Sequence, residues 1–312
     1  MELKRTIFLI MFFASIMVIN CEKSTVSAQN QNDFPELTGE YLGQTPPGRM
    51  PEMFAPGIIS VEANFEHSAA VFSPDKKEVF WCTNVGMYTD NRIIGNLRLY
   101  TMKIVNGKWT APEPASFVKD FCAERPVFSP DGSKLYFECF SDLYTESDTD
   151  IFVVERTESG WSELKPVSSR INSSNWERLQ CVSSDGSMYF TRNLMMNGEA
   201  VYVSRMVNGE FTEPEKLGEE FNSDDHELAI VFGPGDEYFL IDQMNDGRQD
   251  ELVISYKRPD GTWTDKIKIS PPNHCGGFLS VSPDGKYLFF LGDGIFWMST
   301  SFVEDLKPVE LK

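Results

Sequence analysis

Short apolar runs recur along the chain, and in each unit a tight polar turn separates two of them. Proline presets φ and glycine accepts a positive φ, so turns rich in these residues favour a hairpin between the two flanking strands. The turns begin at Ser73, Ser129, Ser183, Gly233 and Ser282, which are 49 to 56 residues apart. The pattern therefore predicts five similar units, each of which opens with a β-hairpin.

Two further patterns complete the unit. A third apolar strand follows every hairpin, and in four units a turn with an aromatic residue comes next, at Trp109, Trp161, Phe211 and Trp263. A fourth strand after this turn would give four strands in about 50 residues, which is typical of a propeller blade. The fifth unit ends before a fourth strand can form. Residues 50–56 lie just ahead of the first unit, where a displaced fourth strand would be expected.

The sequence thus predicts an all-β fold, a five-bladed β-propeller over residues 49–312 with four strands per blade. We expect an N-terminal strand to complete the last blade and so to close the ring. Closure removes exposed sheet edges, which otherwise promote aggregation.

The repeats also resemble a known family. The S-P-D-G turns, the strand DIFVVER at residues 150–156 and the G-x-W-[TS]-x-P turns are similar to the TolB-like, WD-type propeller repeats of bacterial envelope proteins. The segment APGIIS at residues 55–60 is similar to the start of the repeats in exported lipoproteins of that group. The resemblance implies a propeller over residues 50–312 and assigns no biochemical activity.

The N-terminus has the features of an export signal. Lys4 and Arg5 precede an apolar run over residues 7–19, which is too short to cross a bilayer and suits a signal peptide over residues 1–20. Cys21 ends a lipobox-like sequence and is the predicted lipidation site, although cleavage after Ala28 is the alternative. Residues 21–48 are then predicted to be a flexible tether.

These two cleavage sites predict different locations. Processing at Cys21 predicts a lipoprotein of the bacterial cell envelope, held at the membrane by its lipid, on the outer-membrane or periplasmic side. Processing after Ala28 predicts a secreted or soluble periplasmic protein. We expect a monomer in either case.

Charge and cysteine spacing exclude several classes of function. Asp and Glu outnumber Lys and Arg by 47 to 28, which gives a net charge of −19. Without a basic stripe, nucleic acid is not an expected partner. The six cysteines form no C-x-x-C pair, so neither a zinc knuckle nor a thioredoxin-like motif is supported.

The candidate site lies in the loops between blades. These loops precede the innermost strands, and a ring brings equivalent positions together at the mouth of the central channel. We therefore expect a ligand-binding surface on the face opposite the hairpins. Its predicted residues are His67, Glu124, Arg125, Trp176, Glu177, Arg178, His226, Glu227 and His274.

The chemistry of this mouth allows several interpretations. No cofactor is predicted with certainty, but a divalent metal could be held by His67, His226 and His274. Alternatively, a glutamate before the inner strand is a structural element that binds a neighbouring loop. The predicted function is binding of an envelope protein, a small molecule or a glycan without catalysis. The alternative is a carbohydrate-active hydrolase or lyase with a histidine-rich site.

The lipobox interpretation makes a direct prediction. Replacing Cys21 with Ser should move the protein from the membrane fraction to the soluble fraction, because several acyl chains anchor a protein firmly and none would remain. Cell fractionation measures this, and mass spectrometry of the mature N-terminus is the control. A mature N-terminus at Gln29 would show that the anchor hypothesis is wrong.

Overall fold

Five antiparallel sheets follow one another along the described part of the chain, one for each predicted unit, and are numbered here as blades 1 to 5. Residues 36–312 form one compact unit, and of residues 1–35 the structure describes the last two. The protein is described by a computed structural model. It covers residues 34–61, 65–84, 87–89, 92–94, 97–118, 121–140, 149–193, 199–222, 226–244, 250–269 and 277–312.

The strands of each blade run outward from the central channel in chain order. The first strands are Phe65–Glu66 with Val71–Phe72, Cys122–Phe128, Trp176–Val182, His226–Phe232 and Leu279–Val281. The second strands are Glu78–Asn84, Lys134–Phe140, Met188–Asn193, Tyr238–Met244 and Tyr287–Leu291. The third strands are Leu97–Val105, Thr149–Thr157, Glu199–Ser204, Asp250–Tyr256 and Ile295–Ser299. The fourth strands are Glu113–Pro114, Lys165–Pro166, Glu215–Lys216, Ile267–Lys268 and, in blade 5, Glu52–Met53.

Shorter elements join or extend these strands. Additional strand pieces occur at Met87–Thr89, Arg92–Ile94, Lys108–Trp109, Gly160–Trp161, Met206–Val207 and Glu210–Phe211. One α-helix spans Phe302–Leu306, and short 3₁₀ turns span Glu40–Gly43, Ser116–Val118, Pro234–Asp236 and Val309–Leu311.

The recurring hairpin turn has a specific chemistry. In blade 2, the Ser129 hydroxyl donates to Asp131 Oδ1 at 2.7 Å and accepts from the amide of Lys134 at 2.9 Å, while Gly132 adopts a φ of 70°. Serine also donates to aspartate in the turns of blades 1, 3 and 5. The serine and aspartate of the motif are therefore explained by the turn itself.

The ring closes as predicted. Glu52 pairs with Trp297 and Met53 with Phe296, so the N-terminal strand becomes the outer strand of blade 5. Phe54 follows this strand, is fully buried, and lies 5.1 Å from the rings of both Phe289 and Trp297. The closing strand is thus held by backbone pairing and by an aromatic core.

The segment before the closing strand also contacts the propeller. Tyr41 is buried, lies 4.9 Å from the Phe72 ring, and donates from its hydroxyl to Asp284 at 2.9 Å. The indole nitrogen of Trp109 donates to the Gly39 carbonyl at 2.8 Å. This differs from the prediction of a flexible tether up to residue 48, because Tyr41 packs between blades 1 and 5 and Trp109 binds the backbone beside it.

The aromatic turns of blades 2 and 3 pack against the preceding blade. The Trp161 indole of blade 2 lies against Phe80 of blade 1 and donates to Glu78 at 3.3 Å. Blade 5 lacks this turn, and the C-terminal helix packs there instead. Phe302 and Val303 enter the core shared with blade 4, where the Tyr256 hydroxyl donates to the Val303 carbonyl at 2.6 Å.

We predict that Phe54→Ala will lower the free energy of unfolding by about 3–5 kcal/mol, because it leaves a cavity where the ring closes. The neighbouring Met53→Ala is the matched control, since Met53 is partly exposed and should change stability by less than about 1 kcal/mol. Urea unfolding measures both values. Equal effects of the two substitutions would contradict closure through Phe54.

Candidate functional site

The inner strands bring three of the predicted residues to the same level of the channel mouth. The His67 amide bonds to the Cys82 carbonyl, Glu124 pairs with Glu138, and Arg178 pairs with Thr191. His67, Glu124 and Arg178 therefore occupy equivalent positions in three successive blades.

His67 and Glu124 form the closest contact of this group. His67 Nδ1 lies 2.5 Å from Glu124 Oε2, across the boundary between blades 1 and 2. Burial would raise the pKa of Glu124, but the hydrogen bond from His67 and the charges of His67, Arg125 and Arg178 outweigh it and lower the pKa. The pair is thus a carboxylate held in its ionised form against an imidazole.

Arg125, which follows Glu124 in the chain, contacts residues of blades 2 and 5 at the mouth. Its Nε lies 3.3 Å from Glu138 Oε1, its Nη1 donates to the Gly277 carbonyl at 3.3 Å, and its guanidinium lies 4.2 Å from the centre of the Phe278 ring. The residue has a φ of 51°, an unusual backbone conformation for a side chain of this size. A β-bulge between Glu124 and Val127 accommodates this conformation.

Glu138 is the most perturbed carboxyl of the cluster. Its Oε1 accepts from the Leu179 amide at 2.7 Å, but Oε2 is buried without a hydrogen-bond partner in the described part of the chain. Burial raises the pKa of Glu138 to about 8, with the Glu124 charge acting in the same direction. The positive charges of Arg125 and Arg178 oppose this shift, but burial outweighs them.

The channel narrows directly beneath these groups. Ser68, Arg125, Gln180, Ala229 and Phe278 help to line a cavity of about 30 Å³, which has room for little more than water. The described side chains therefore leave little space in this part of the channel.

Other predicted residues have structural contacts. Glu177 is fully buried and accepts from the amide of Ser173 at 3.1 Å and from Arg192 at 2.8 Å. Glu66, which was not among the predicted residues, occupies the equivalent position in blade 1 and accepts in the same way from the Val61 amide at 3.1 Å. For these two glutamates the structural interpretation holds, because each binds the loop that leads into its strand. Trp176 lies half-buried, 6.0 Å from the Arg178 guanidinium.

The proposed metal ligands are placed only in part. The backbones of His226 and Glu227 belong to the first strand of blade 4, but their side chains lie outside the described residues, as do His274 and the predicted lipidation site Cys21. Within the described ranges, no group of three His, Cys, Asp or Glu side chains could hold a metal ion. The metal prediction rests on the remaining positions.

Sequence analysis missed two buried acids, Glu138 and Asp242. Both occupy the same position in their second strands and accept a backbone amide from the following blade. Glu138 accepts from Leu179 in the first strand of blade 3, and Asp242 accepts from Gly277, two residues before the first strand of blade 5. The available signal was a single acid inside an otherwise apolar strand, as in LYFEC and FLIDQ. Such a residue must find a partner when it is buried.

A second concavity lies on the hairpin face, which sequence analysis did not select. It has a volume of about 350 Å³ and is lined by residues of all five blades. Its walls include Val71, Val127, Val182, Val231 and Val281. The channel is therefore open and largely apolar at this end. We call this concavity the hairpin-face funnel.

Comparison with known proteins finds distant structural similarities. No family model and no curated protein sequence matches the chain. Similar solved structures include a candidate TolB from Agrobacterium tumefaciens, with a TM-score of 0.46, 17% identity and coverage of 72% of this chain and 68% of that one. The periplasmic gluconolactonase PpgL of Pseudomonas aeruginosa has a TM-score of 0.41, 14% identity and coverage of 78% and 69%.

Part of a larger enzyme is also similar to this chain. Prolyl oligopeptidase B from Galerina marginata has a TM-score of 0.42 and 15% identity over 72% of this chain, but the match spans only 30% of that enzyme. These similarities concern the fold alone, and the five-bladed arrangement confirms the predicted propeller. Among the described residues, no helix is long and apolar enough to cross a membrane.

The raised pKa of Glu138 predicts a pH-dependent stability. With a pKa near 4.5 when unfolded and about 8 when folded, this carboxyl binds more protons in the folded state between these values. Its effect is therefore a loss of stability as the pH rises from about 4.5 to about 8. The lowered pKa of Glu124 acts in the opposite sense, and its stabilising effect is lost as the pH falls below about 4.5.

Glu138→Gln should therefore reduce the fall in unfolding free energy between pH 5 and pH 8, measured by urea unfolding. Glu155→Gln, which changes an exposed glutamate of the same blade, is the control and should leave the fall unchanged. If Glu138→Gln left the decrease in unfolding free energy between pH 5 and pH 8 unchanged, the raised pKa of Glu138 would not be its cause.

Proposed function

We propose that the protein binds a ligand or an envelope protein partner at the channel mouth formed by His67, Glu124, Arg125 and Arg178, without catalysing a reaction. The observation that carries this proposal is the cavity of about 30 Å³ beneath the mouth. Pockets that enclose a small molecule usually have volumes of about 300–1,000 Å³. Within the described residues, this leaves the rim of the mouth as the surface that a partner would contact.

The pairing of the charged groups supports the same conclusion. Within the described residues, His67 has Glu124 as its hydrogen-bond partner, and Arg125 lies against Glu138. The adjacent Ser68 is buried, donates to the Ala69 carbonyl and accepts from the Cys82 amide at 2.7 Å. Its hydroxyl serves the backbone and is not positioned as a nucleophile beside His67.

Arg178 is the group of this mouth best placed to meet a partner. It is exposed, whereas Glu124 and Glu138 are buried. A planar guanidinium beside the half-buried Trp176 offers both hydrogen-bond donors and an aromatic surface, and Arg and Trp are enriched in binding hot spots. Together with export and a lipid on Cys21, this mouth suits recognition of a component of the cell envelope.

A carbohydrate-active hydrolase or lyase remains the second candidate, and one contact favours it. The His67–Glu124 pair has the arrangement of a general base and the carboxylate that orients it. In that function, Arg178 would bind an acidic sugar. The binding function is preferred because the described mouth lacks an enclosed cavity for the substrate.

Arg178→Ala tests the binding function. A photoreactive amino acid placed at position 178 in producing cells should form a defined adduct with an envelope component. Arg178→Ala should weaken binding of that component about tenfold, by removing a rim hot spot. Arg205 is an exposed arginine of the same blade that pairs with Glu215. The photoreactive amino acid at position 205 and the substitution Arg205→Ala are therefore the matched controls for the crosslinking and for the binding measurement.

A panel of glycans, assayed for both binding and cleavage, separates the two candidates. Cleavage that is lost in His67→Ala would establish the enzyme function and overturn the proposal. Equal adducts from positions 178 and 205 would show that the mouth has no specific partner.

A further inference from the structure

The segment that precedes the closing strand fills the junction between blades 5 and 1. Its Tyr41 ring lies 5.1 Å from the Tyr287 ring of blade 5. On the side of blade 1, the Leu37 carbonyl accepts from the Trp109 amide at 2.9 Å, and the Gly39 carbonyl accepts from the Trp109 indole at 2.8 Å. A short linear segment with one inserted aromatic side chain therefore occupies this junction.

The junction of blades 2 and 3 is built in the same way. One side consists of three residues that are paired across the second, third and fourth strands. They are Phe289, Trp297 and Glu52 in blade 5, and Tyr136, Val153 and Lys165 in blade 2. The other side is the aromatic turn of the following blade, where Trp109 pairs with Ile104 in blade 1 and Phe211 pairs with Met206 in blade 3. The positions that hold the segment at blades 5 and 1 thus have direct equivalents at blades 2 and 3.

At blades 2 and 3 these positions surround an open groove, which we call the blade 2–3 groove. Its volume is about 480 Å³, which lies within the range of ligand pockets. Tyr136, Val153, Met206 and Phe211 line it, together with charged groups of both signs. Among the charged residues, Arg170 donates to the Phe211 carbonyl at 2.7 Å. The groove therefore combines an apolar surface with groups that can bind a peptide backbone.

Three residue differences explain why this groove is open. At blades 1 and 2, Glu78 accepts from the Trp161 indole at 3.3 Å and pairs with Arg156. The Arg156 guanidinium lies 4.1 Å from the centre of the Trp161 ring. At blades 2 and 3 the equivalent residues are Lys134, Met206 and Phe211. Lysine and methionine cannot form the ion pair, and phenylalanine is smaller than tryptophan, so this cluster cannot fill the groove.

The backbone of blade 3 offers the same donor that the segment uses in blade 1. The Thr212 amide donates to the Arg205 carbonyl within the hairpin. Successive amides of a strand point to opposite sides, so the Phe211 amide points away from its hairpin partner. The Trp109 amide has the same orientation where it binds Leu37.

From this equivalence we infer that the blade 2–3 groove is a docking site for a short linear segment of a protein partner, which inserts an aromatic side chain beside Val153, Met206 and Phe211. The segment binds as residues 36–44 bind at blades 5 and 1, and one of its carbonyls accepts from the Phe211 amide. The groove lies apart from the channel mouth, and the inference does not depend on the function proposed there.

A labelled peptide based on residues 36–44 tests the inference in the full-length protein, by fluorescence anisotropy. Its sequence is KLTGEYLGQ, in which Lys replaces Glu36. At blades 5 and 1, Glu36 pairs with Lys108, whereas Glu210 stands at the equivalent position of blade 3. The peptide should bind. A version with Gly in place of its tyrosine should bind about tenfold more weakly, because the buried aromatic surface is lost.

A single substitution locates the binding. Ser169 is an exposed residue that lines the groove, and Ser169→Trp should weaken binding of the peptide about tenfold because the indole occupies the space. Glu219→Trp is the matched control. It places the same side chain at the equivalent exposed position of the loop after the fourth strand of blade 3, and it should leave binding unchanged.

A second variant builds the cluster of blades 1 and 2 into the groove. Lys134→Glu, Met206→Arg and Phe211→Trp, combined in one protein, should abolish binding of the peptide. A thermal unfolding curve shows whether this variant is folded. If it does not fold, the variants at Ser169 and Glu219 still decide the question.

Three results would overturn the inference. Equal binding of the tyrosine and glycine peptides would show that no aromatic side chain is inserted. Equal effects of Ser169→Trp and Glu219→Trp would place the binding elsewhere. A dimer that Ser169→Trp converts to a monomer in sedimentation, with no binding of the peptide, would identify a second copy of this chain as the occupant.

Discussion

Each blade of this propeller depends on the next, because the core of every sheet is completed by its neighbour. Phe80 of blade 1 packs with Trp161 of blade 2, and Tyr256 of blade 4 bonds to the C-terminal helix after blade 5. Such a chain of shared cores is stable only if its two ends meet. The strand Glu52–Met53 and the buried Phe54 make that junction, so the geometry of both faces depends on a few residues near the N-terminus.

Near the channel, hydrogen bonds also connect each of three blades to the next one. Glu138 accepts an amide of blade 3, Gln180 accepts the Ile230 amide of blade 4, and Asp242 accepts the Gly277 amide of blade 5. Each contact satisfies a backbone donor that would otherwise be buried without a partner. Because Glu138 also faces Arg125, the groups that join the blades and the groups of the candidate mouth form one network.

The fold could be predicted from the sequence because its turns impose strict local chemistry at a regular spacing. The site was harder to predict. His67 lies six residues before its turn and Glu124 lies five before its own. They reach equivalent positions because the first strand of blade 1 has two more residues than its partner strand between Glu66 and Val71, whereas that of blade 2 has one more, in the bulge between Glu124 and Val127. Glu138 was missed because one acid in an apolar strand does not alter the periodic pattern. Tyr41 was missed because its aromatic partners are provided by distant blades.

The two ends of the channel differ in what a ligand must displace. At the mouth, the charged groups already have partners. Separating a buried pair leaves a buried charge without a partner, which costs more free energy than separating an exposed pair. A ligand there gains most by contacting exposed groups such as Arg178 while leaving His67 and Glu124 together. In the hairpin-face funnel, valine side chains have no polar partners to lose, so a ligand displaces only water. Specific polar recognition is therefore expected at the mouth.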